Sequence, residues 1–463
     1  MKLLTKSAIA SALALAFGLQ GAQAEEVKTT GGIQVKSDDG AYQFDFNGRL
    51  HFDMYAHQAD NDSSNLDRLN FENGSFVRRL RMSAKTKLYT VWEGQLELDF
   101  PTGTNSNNVT GNNVNIQNAW LAYTGWKPLG GESAPFRLQI GQFKTPMGLE
   151  ELTSSNYITF IERSMPINAV APNFRRGAQV SSTYGNMTWA FMPYFDANRT
   201  DTTDSTVGAN LGGAAAGVND DTASSAGLGL GGRVTWTPIK DKLKLWHVGA
   251  AIAREDDVRA VAPATTRYDA RNVPQIAMTP TSLLQNANVS EGEAAMRYGL
   301  ESAFVYGPFS VQAEYLVADY ETASPDTTGA NNGGNPNNVD PKITGFYVFG
   351  SWFLTGESRP YRAGNGTFDR VKPLKKSGAW ELALRYDFLE SEYGIGAPPT
   401  AGPEETVENQ VETYTFGVNY YVNPNIRFML NLIAHDIDVQ RANGTPSYEG
   451  TPKTIGFRTQ FDF

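Results

Sequence analysis

The chain alternates. From Phe44 to Met54 every even position is Phe, Gly, Leu or Met and every odd position is polar. A period of two is the strand signature, because successive side chains leave a pleated strand on opposite faces. The pattern recurs from Trp92 to Phe100, where Leu96, Leu98 and Phe100 oppose Glu93, Gln95, Glu97 and Asp99. It returns from Trp380 to Phe388 and in the last segment, Ile455 to Phe463. Long helical periodicity is absent. The connections fall into two kinds. Gly185-Asn186, Gly307-Pro308 and Asn423-Pro424 are tight, whereas 57–73, 101–113, 143–175, 197–225, 256–291, 321–340, 389–409 and 437–450 are long and polar. The two kinds mostly alternate, as do the short periplasmic turns and longer outer loops of a transmembrane β-barrel, whose strands need about 9–11 residues each.

Walking the chain gives about sixteen strands, an even number that returns both termini to the periplasmic side. The predicted fold is all-β: a sixteen-stranded antiparallel transmembrane β-barrel with inward-folded loops. Closure removes the sheet edges, and in lipid every backbone donor must be paired internally. The rival is a soluble array of two or three sandwiches. Against it stand charged strand faces opposed by large aromatics at strand ends, and long loops that alternate with two-residue turns. One connection breaks the pattern. Thr355 to Lys376 should be a periplasmic turn yet spans about 22 residues, so it either hangs into the periplasm or folds back into the lumen.

Composition narrows the class. The 463 residues include 45 Gly, 11% aromatics and no Cys, with a formal net charge of -10. A mean hydropathy of -0.38 is too polar for a helical membrane protein, and the aromatic content is too high for a disordered one. The acidic balance argues against a nucleic-acid partner. The lack of cysteine excludes disulfides, thiol nucleophiles and zinc–cysteine sites. At the start, Lys2 and Lys6 precede an apolar run from Ala8 to Leu19 and the small-x-small triplet Ala22-Gln23-Ala24. That reads as a signal peptide over 1–24, with the barrel domain over 25–463. As a membrane anchor the run is too short, about 12 residues against the ~20 a spanning helix needs.

Alternation also orients the charges. From Phe76 to Leu88, the even positions Leu80, Met82, Ala84, Thr86 and Leu88 suit lipid. The odd positions Arg79, Arg81, Ser83, Lys85 and Lys87 then face the lumen, and the cations among them form a basic rail. Arg78 has the wrong parity, which places it at a bulge or in the aromatic girdle. The same argument turns Arg49, Arg137, Arg233, Arg297, Arg385, Arg427 and Arg458 inward. A permanent charge with a fork of donors replaces the water an anion loses in a narrow bore, and rings of Arg and Lys are the expected filter of anion or phosphate pores. The plainer reading is a polar lumen of both signs, since the inward acids Asp45, Asp53, Glu93, Glu97, Asp99, Glu301, Glu314 and Glu381 nearly balance the bases. The stretch from Lys144 to Arg176 is the candidate constriction. It carries Leu149, Leu152, Tyr157, Ile158, Phe160, Ile161 and Met165, more apolar surface than a solvated loop holds, together with Arg163 and Glu162.

Other signals carry less. Gly227 to Gly232 resembles a dinucleotide loop, but it lies in an alternating pattern with no helix after it. His51, His57, His247 and His435 lack metal-ligand spacing. Asp60-Asn61-Asp62 and Asp220-Asp221 read as solvated outer loops.

Three motifs carry a resemblance. The run GQFKTPMGLEELTSSNYITFIERSM from Gly141 to Met165, the segment Phe76 to Arg81, and Leu354 to Tyr361 with Gly378 to Leu382 resemble the phosphate-selective porin O and P family, over essentially the whole mature chain. The resemblance implies an outer-membrane homotrimer in which the third and fifth outer loops and one long periplasmic turn fold into the lumen. It also implies a central anion site of arginines and lysines, approached by a basic ladder. Arg78 and Arg79 match the family's basic pair and Lys144 the start of its constriction loop; Arg49 and Arg163 are carried over with them. Arg81 stands where the family pattern has an aromatic hydroxyl. The expected function is a passive anion-selective diffusion channel for phosphate, pyrophosphate or polyphosphate. Its partners would be small inorganic anions and outer-membrane lipid, with no cofactor, no metal and no catalytic residue. Arg78, Arg79, Arg81, Lys85, Lys87, Lys144, Arg49 and Arg163 are the candidate pore residues. The alternatives are a general or other-substrate porin, a plugged structural or adhesive barrel, and a barrel enzyme with His51 or His435 at its rim.

Overall fold

The computed structural model describes residues 24–28, 32–58, 73–100, 114–127, 135–195, 228–259, 291–322, 338–395, 405–439 and 448–463. Sixteen antiparallel strands form one closed ladder. The first half comprises β1 (Tyr42–Gln58), β2 (Gly74–Leu88), β3 (Trp92–Asp99), β4 (Asn115–Trp126), β5 (Phe136–Lys144), β6 (Phe174–Tyr184), β7 (Met187–Phe195) and β8 (Gly229–Lys240). The second comprises β9 (Lys244–Arg259), β10 (Glu291–Tyr306), β11 (Phe309–Thr322), β12 (Asn338–Phe353), β13 (Ala379–Ile395), β14 (Glu405–Asn423), β15 (Ile426–Val439) and β16 (Lys453–Asp462). β16 pairs back on β1, from Lys453 opposite Gln58 to Asp462 opposite Arg49. Where β16 runs out, Ile33–Ser37 takes its place beside β1, and Ala24–Lys28 pairs on that strand in turn.

The strands run longer than lipid requires. β14 has 19 residues, and the connection expected at 389–409 is mostly strand, because β13 continues to Ile395 and β14 begins at Glu405. Beyond the bilayer both faces of a strand are wet, so hydropathy stops alternating while the hydrogen-bonded ladder continues. Likewise Arg175 and Arg176 open β6 rather than end a loop. Gly229 to Gly232 lies in β8. Of the fifth long connection, expected at 256–291, the ends belong to β9 and β10; residues 260–290, Asp60 to Asp62, and Asp220 with Asp221 fall outside the described residues.

The two faces of the wall differ as the alternation requires. Leu384 is 62% exposed and Ile140 64% on the outside. Aromatic pairs gather at the turn end, where membrane and water meet: Trp92 with Tyr123, Trp126 with Phe136, Phe309 with Trp352, and Trp380 with Tyr420 at 4.5 Å between centroids.

The core lies inside the barrel. The third long connection turns inward through two short helices, α1 (Leu149–Leu152) and α2 (Met165–Val170). Met147, Phe160, Met165 and Ile167 pack against Ala251, Ala295, Ala318 and Ala383 of the inner wall. Small wall residues make this seat. A Cβ at Gly345 would stand 2.9 Å from Pro166, and one at Gly417 would stand 3.2 Å from Phe160. The connection between β12 and β13 also folds back into the lumen, as a small hairpin of Tyr361–Arg362 and Thr367–Phe368. Phe368 and Tyr361 pack with Leu149, Leu245 and Val305, so this turn meets the inward loop from below.

Phe160 is fully buried and stands edge-on to Phe349 at 5.4 Å. Phe160→Ala is expected to cost about 3–5 kcal/mol, seen as a lower midpoint of urea unfolding in detergent. Leu384→Ala, on the outer face, should shift that midpoint far less; equal shifts would mean that the loop carries no packing energy.

Candidate functional site

The inward loop is held by arginines. Glu162 is its centre. Arg79 grips the carboxylate with both ends of its fork, at 3.0 and 2.9 Å. Arg78 reaches the same group at 3.0 Å and Arg458 at 2.7 Å. Arg458 also binds Asp53 through Nε and Nη2, at 2.6 and 2.7 Å. Consecutive residues on a regular strand face opposite sides, yet Arg78 and Arg79 meet one carboxylate. The β1–β2 register explains it: His51 opposes Arg79 and Phe52 opposes Val77, so Arg78 is the extra residue of a bulge. Burial opposes ionisation of Glu162, but Arg78, Arg79 and Arg458 outweigh it and hold the carboxyl well below the ordinary carboxylate range.

Other wall arginines bind the loop's backbone. Arg427 donates to the carbonyls of Ile158 and Thr159 at 2.7 and 2.9 Å, and Arg385 to that of Glu162 at 3.0 Å. Within the loop, Arg163 donates to the carbonyls of Glu150, Glu151 and Thr153. Gly148 precedes α1 and offers no side-chain cap. Across the lumen Glu314 accepts from the amides of Leu149 and Glu150 at 2.8 and 2.7 Å, so a wall carboxylate caps a loop helix. A buried guanidinium or carboxylate is tolerable only with its donors and acceptors matched, and the loop and the wall match each other.

This sealing is one-sided. Arg458 on β16 is 0% exposed and Arg233 on β8 5%. By contrast, Arg81 on β2 is 13% and Arg137 on β5 26% exposed. The turn-end stretch of β2 to β5 is thus the more open wall, while Arg79 on the same β2 stays 4% exposed in the clamp. There Arg49 binds Ser155 and Glu97, both at 2.9 Å, Arg81 binds Asp99 at 2.8 Å, and Arg137 pairs with Glu93 over the ring of Trp120. Lys85 is exposed within the lumen and, among the described residues, makes no hydrogen bond or ion pair. Its electrostatic neighbours are Glu97, Arg49, Arg362 and Asp45.

The structure thus divides the eight candidates. Arg78 and Arg79 converge on Glu162. Lys144 and Arg163 both pair with Glu151 at the root of the loop, at 3.0 and 3.1 Å. Arg81, Lys85 and Lys87 lie along the open wall, and Arg49 on β1 joins the loop to it through Ser155 and Glu97. Sequence reasoning missed the contribution of the long turn. Arg359 is stacked between Phe349 and Phe368 and donates to Gln312 at 2.7 Å. Burial lowers its guanidinium pKa to about 10. Arg370 lies over Tyr157 of the loop. The available signal was a turn of that length carrying Arg359, Arg362 and Arg370. His247, set aside as a metal ligand, instead joins Glu301 at 2.9 Å to the Tyr361 hydroxyl at 2.6 Å. Among the described residues no cluster of His, Asp or Glu could hold a metal ion.

A closed barrel with an apolar outer face and a charged, partly filled bore is a membrane channel. Over residues 44–463 the chain matches the model of one family, "Phosphate-selective porin O and P", and it belongs to that family. It is 28% identical to Porin O of Pseudomonas aeruginosa over 481 residues, covering 96% of each chain. Among solved structures, a loop-deletion mutant of OmpT, an outer membrane protein of Vibrio cholerae, shares the fold. The TM-score is 0.50 at 11% identity, covering 91% of this chain and 100% of that one. An anion-selective porin from Comamonas acidovorans gives a TM-score of 0.48 at 13% identity, covering 91% of this chain and 100% of that one. The protein is an outer-membrane porin that crosses the bilayer with its strands, and it is not an enzyme.

Glu162→Ala leaves three arginines around an empty position. It is expected to weaken loop anchorage by roughly 3–5 kcal/mol, seen as tryptic cleavage after Arg163 in otherwise intact barrels. In the unaltered protein the depressed carboxyl gives the sign of the pH effect. Its stabilisation is complete above the ordinary value of 4.5 and is lost only as pH falls toward the lower folded value. Amide protection over 158–163 should hold down to about pH 5; loss of protection near neutral pH would contradict the clamp.

Proposed function

We propose that this porin is a passive, anion-preferring channel for phosphate-like oxyanions, with the cations of the open wall as its selectivity residues. One observation carries the reading: Lys85, opposite Asp45 in the ladder, is exposed on the lumen face and makes no ion pair among the described residues. An unpaired ammonium on a water-filled wall raises the local concentration of anions and lowers that of cations. Lys87 extends this wall toward the turn end, and Arg81 and Arg49 complete it. Membership in a family described as phosphate-selective, and the likeness to Porin O, support an oxyanion substrate. In this reading Arg78, Arg79, Lys144 and Arg163 act through the loop they hold: they set the width of the bore, and Arg78, 20% exposed, borders it.

A second reading has its own observation. Arg78, Arg79 and Arg458 share the carboxylates of Glu162 and Asp53, Arg81 pairs with Asp99, and Lys144 shares Glu151 with Arg163. A lumen with its charges so paired suits a general porin of weak anion preference. The mature chain, in the same proposal, begins at Glu25 and assembles as a homotrimer.

Planar-bilayer reversal potentials in a salt gradient should show anion preference, and Lys85→Glu should reduce it several-fold. Sub-millimolar phosphate should block chloride current. Equal competition of phosphate and chloride would leave the general-porin reading, and cation preference of the unaltered channel would sink the proposal.

A further inference from the structure

We propose that the long turn between β12 and β13 contributes a selectivity residue, Arg362, so that the filter is a composite of barrel wall and turn. The inference rests on the anion-channel reading. The turn leaves the wall at Phe353 and rejoins it at Ala379, but its tip is fastened elsewhere. Thr183 of β6 donates to the Gly364 carbonyl at 3.2 Å, and Arg233 of β8 to that of Gly366 at 2.8 Å. The Tyr361 hydroxyl pairs with His247 of β9 at 2.6 Å. The Phe368 amide donates to Thr153 of the inward loop at 3.4 Å. These anchors carry the hairpin across the bore and fix its orientation from both sides.

Between them Arg362 behaves differently from every anchor. It is 53% exposed, and among the described residues its side chain holds one partner, Asp369, at 2.8 Å through Nη2. An exposed pair of this kind adds little to stability, whereas the buried contacts of Tyr361, Gly366 and Phe368 already place the hairpin. Its packing therefore does not require an arginine at this position. The guanidinium keeps donors free on an exposed face of the hairpin, and its charge acts on Lys85 of the open wall. Asp369 opposes Arg362 in charge and orients it, so the two residues should act on passing anions with opposite signs.

In water a unit charge about 8 Å from a permeating ion changes that ion's local concentration roughly twofold, and does so inversely for the counter-ion. Full-length channels in planar bilayers should therefore respond as follows. Arg362→Gln lowers the chloride-to-potassium permeability ratio about two- to fourfold. Asp369→Asn raises it, and Arg362→Lys leaves it close to the unaltered value. Arg254→Gln, which removes an equally exposed arginine far along β9, is the control. A turn that had merely come loose would move Arg362→Gln and Asp369→Asn in the same direction. That result, or an unchanged ratio for Arg362→Gln in an anion-selective channel, overturns this inference and leaves the channel reading standing. Cation preference of the unaltered protein overturns both.

Discussion

Hydrocarbon offers no partner for a backbone amide, and that constraint organises the molecule. A sheet that crosses a bilayer must return to its own first strand, as β16 does on β1. Once the ladder is closed, parity assigns every side chain to lipid or to lumen. Leu382 and Leu384 then go outward while Glu381, Arg385 and Asp387 between and beyond them go inward. Closure thus gathers ionisable groups from sixteen separate strands into one tube, where their mutual pairing becomes the dominant electrostatic problem.

The tube solves that problem with its own chain. Taking an arginine out of water is costly unless its donors are matched, and the inward loop supplies the match. The carbonyls of Ile158, Thr159 and Glu162 meet Arg427 and Arg385, and the Glu162 carboxylate meets Arg78, Arg79 and Arg458. The basic residues that meet the loop therefore hold it in place. In the proposed channel, selectivity falls to the cations that the loop leaves uncovered, Lys85 first among them. Abundance of positive charge and its availability to an ion are separate properties.

The architecture was legible in the sequence because it depends on local periodicity. Alternation located the strands, tight and long connections separated the two ends, and the apolar content of Leu149, Phe160 and Ile161 marked the loop that turns inward. Even the misfit parity of Arg78 pointed to its bulge. The function of each inward charge was not legible, because partners are distant along the chain. Arg458 and Asp53 are 405 residues apart, and Arg79 and Glu162 are 83. Parity shows that both members of a pair face inward but not that they meet. The path of the turn was hidden for the same reason: Thr183, Arg233 and His247, which hold its tip, lie on strands far from its own roots.

Loop and turn enter the bore from opposite ends, yet a continuous run of contacts joins them. Glu314 caps α1 and accepts from the Tyr347 hydroxyl at 2.5 Å, and the same hydroxyl accepts from Gln312 at 2.5 Å. Gln312 in turn accepts from Arg359 of the turn at 2.7 Å. Phe368 closes the circuit by packing with Leu149. Each link is buried, so breaking one leaves an unsatisfied polar group in a place water does not readily reach. The constriction is consequently a single body with two points of origin. Its position is fixed by β11 and β12, the strands that bear Glu314, Gln312 and Tyr347.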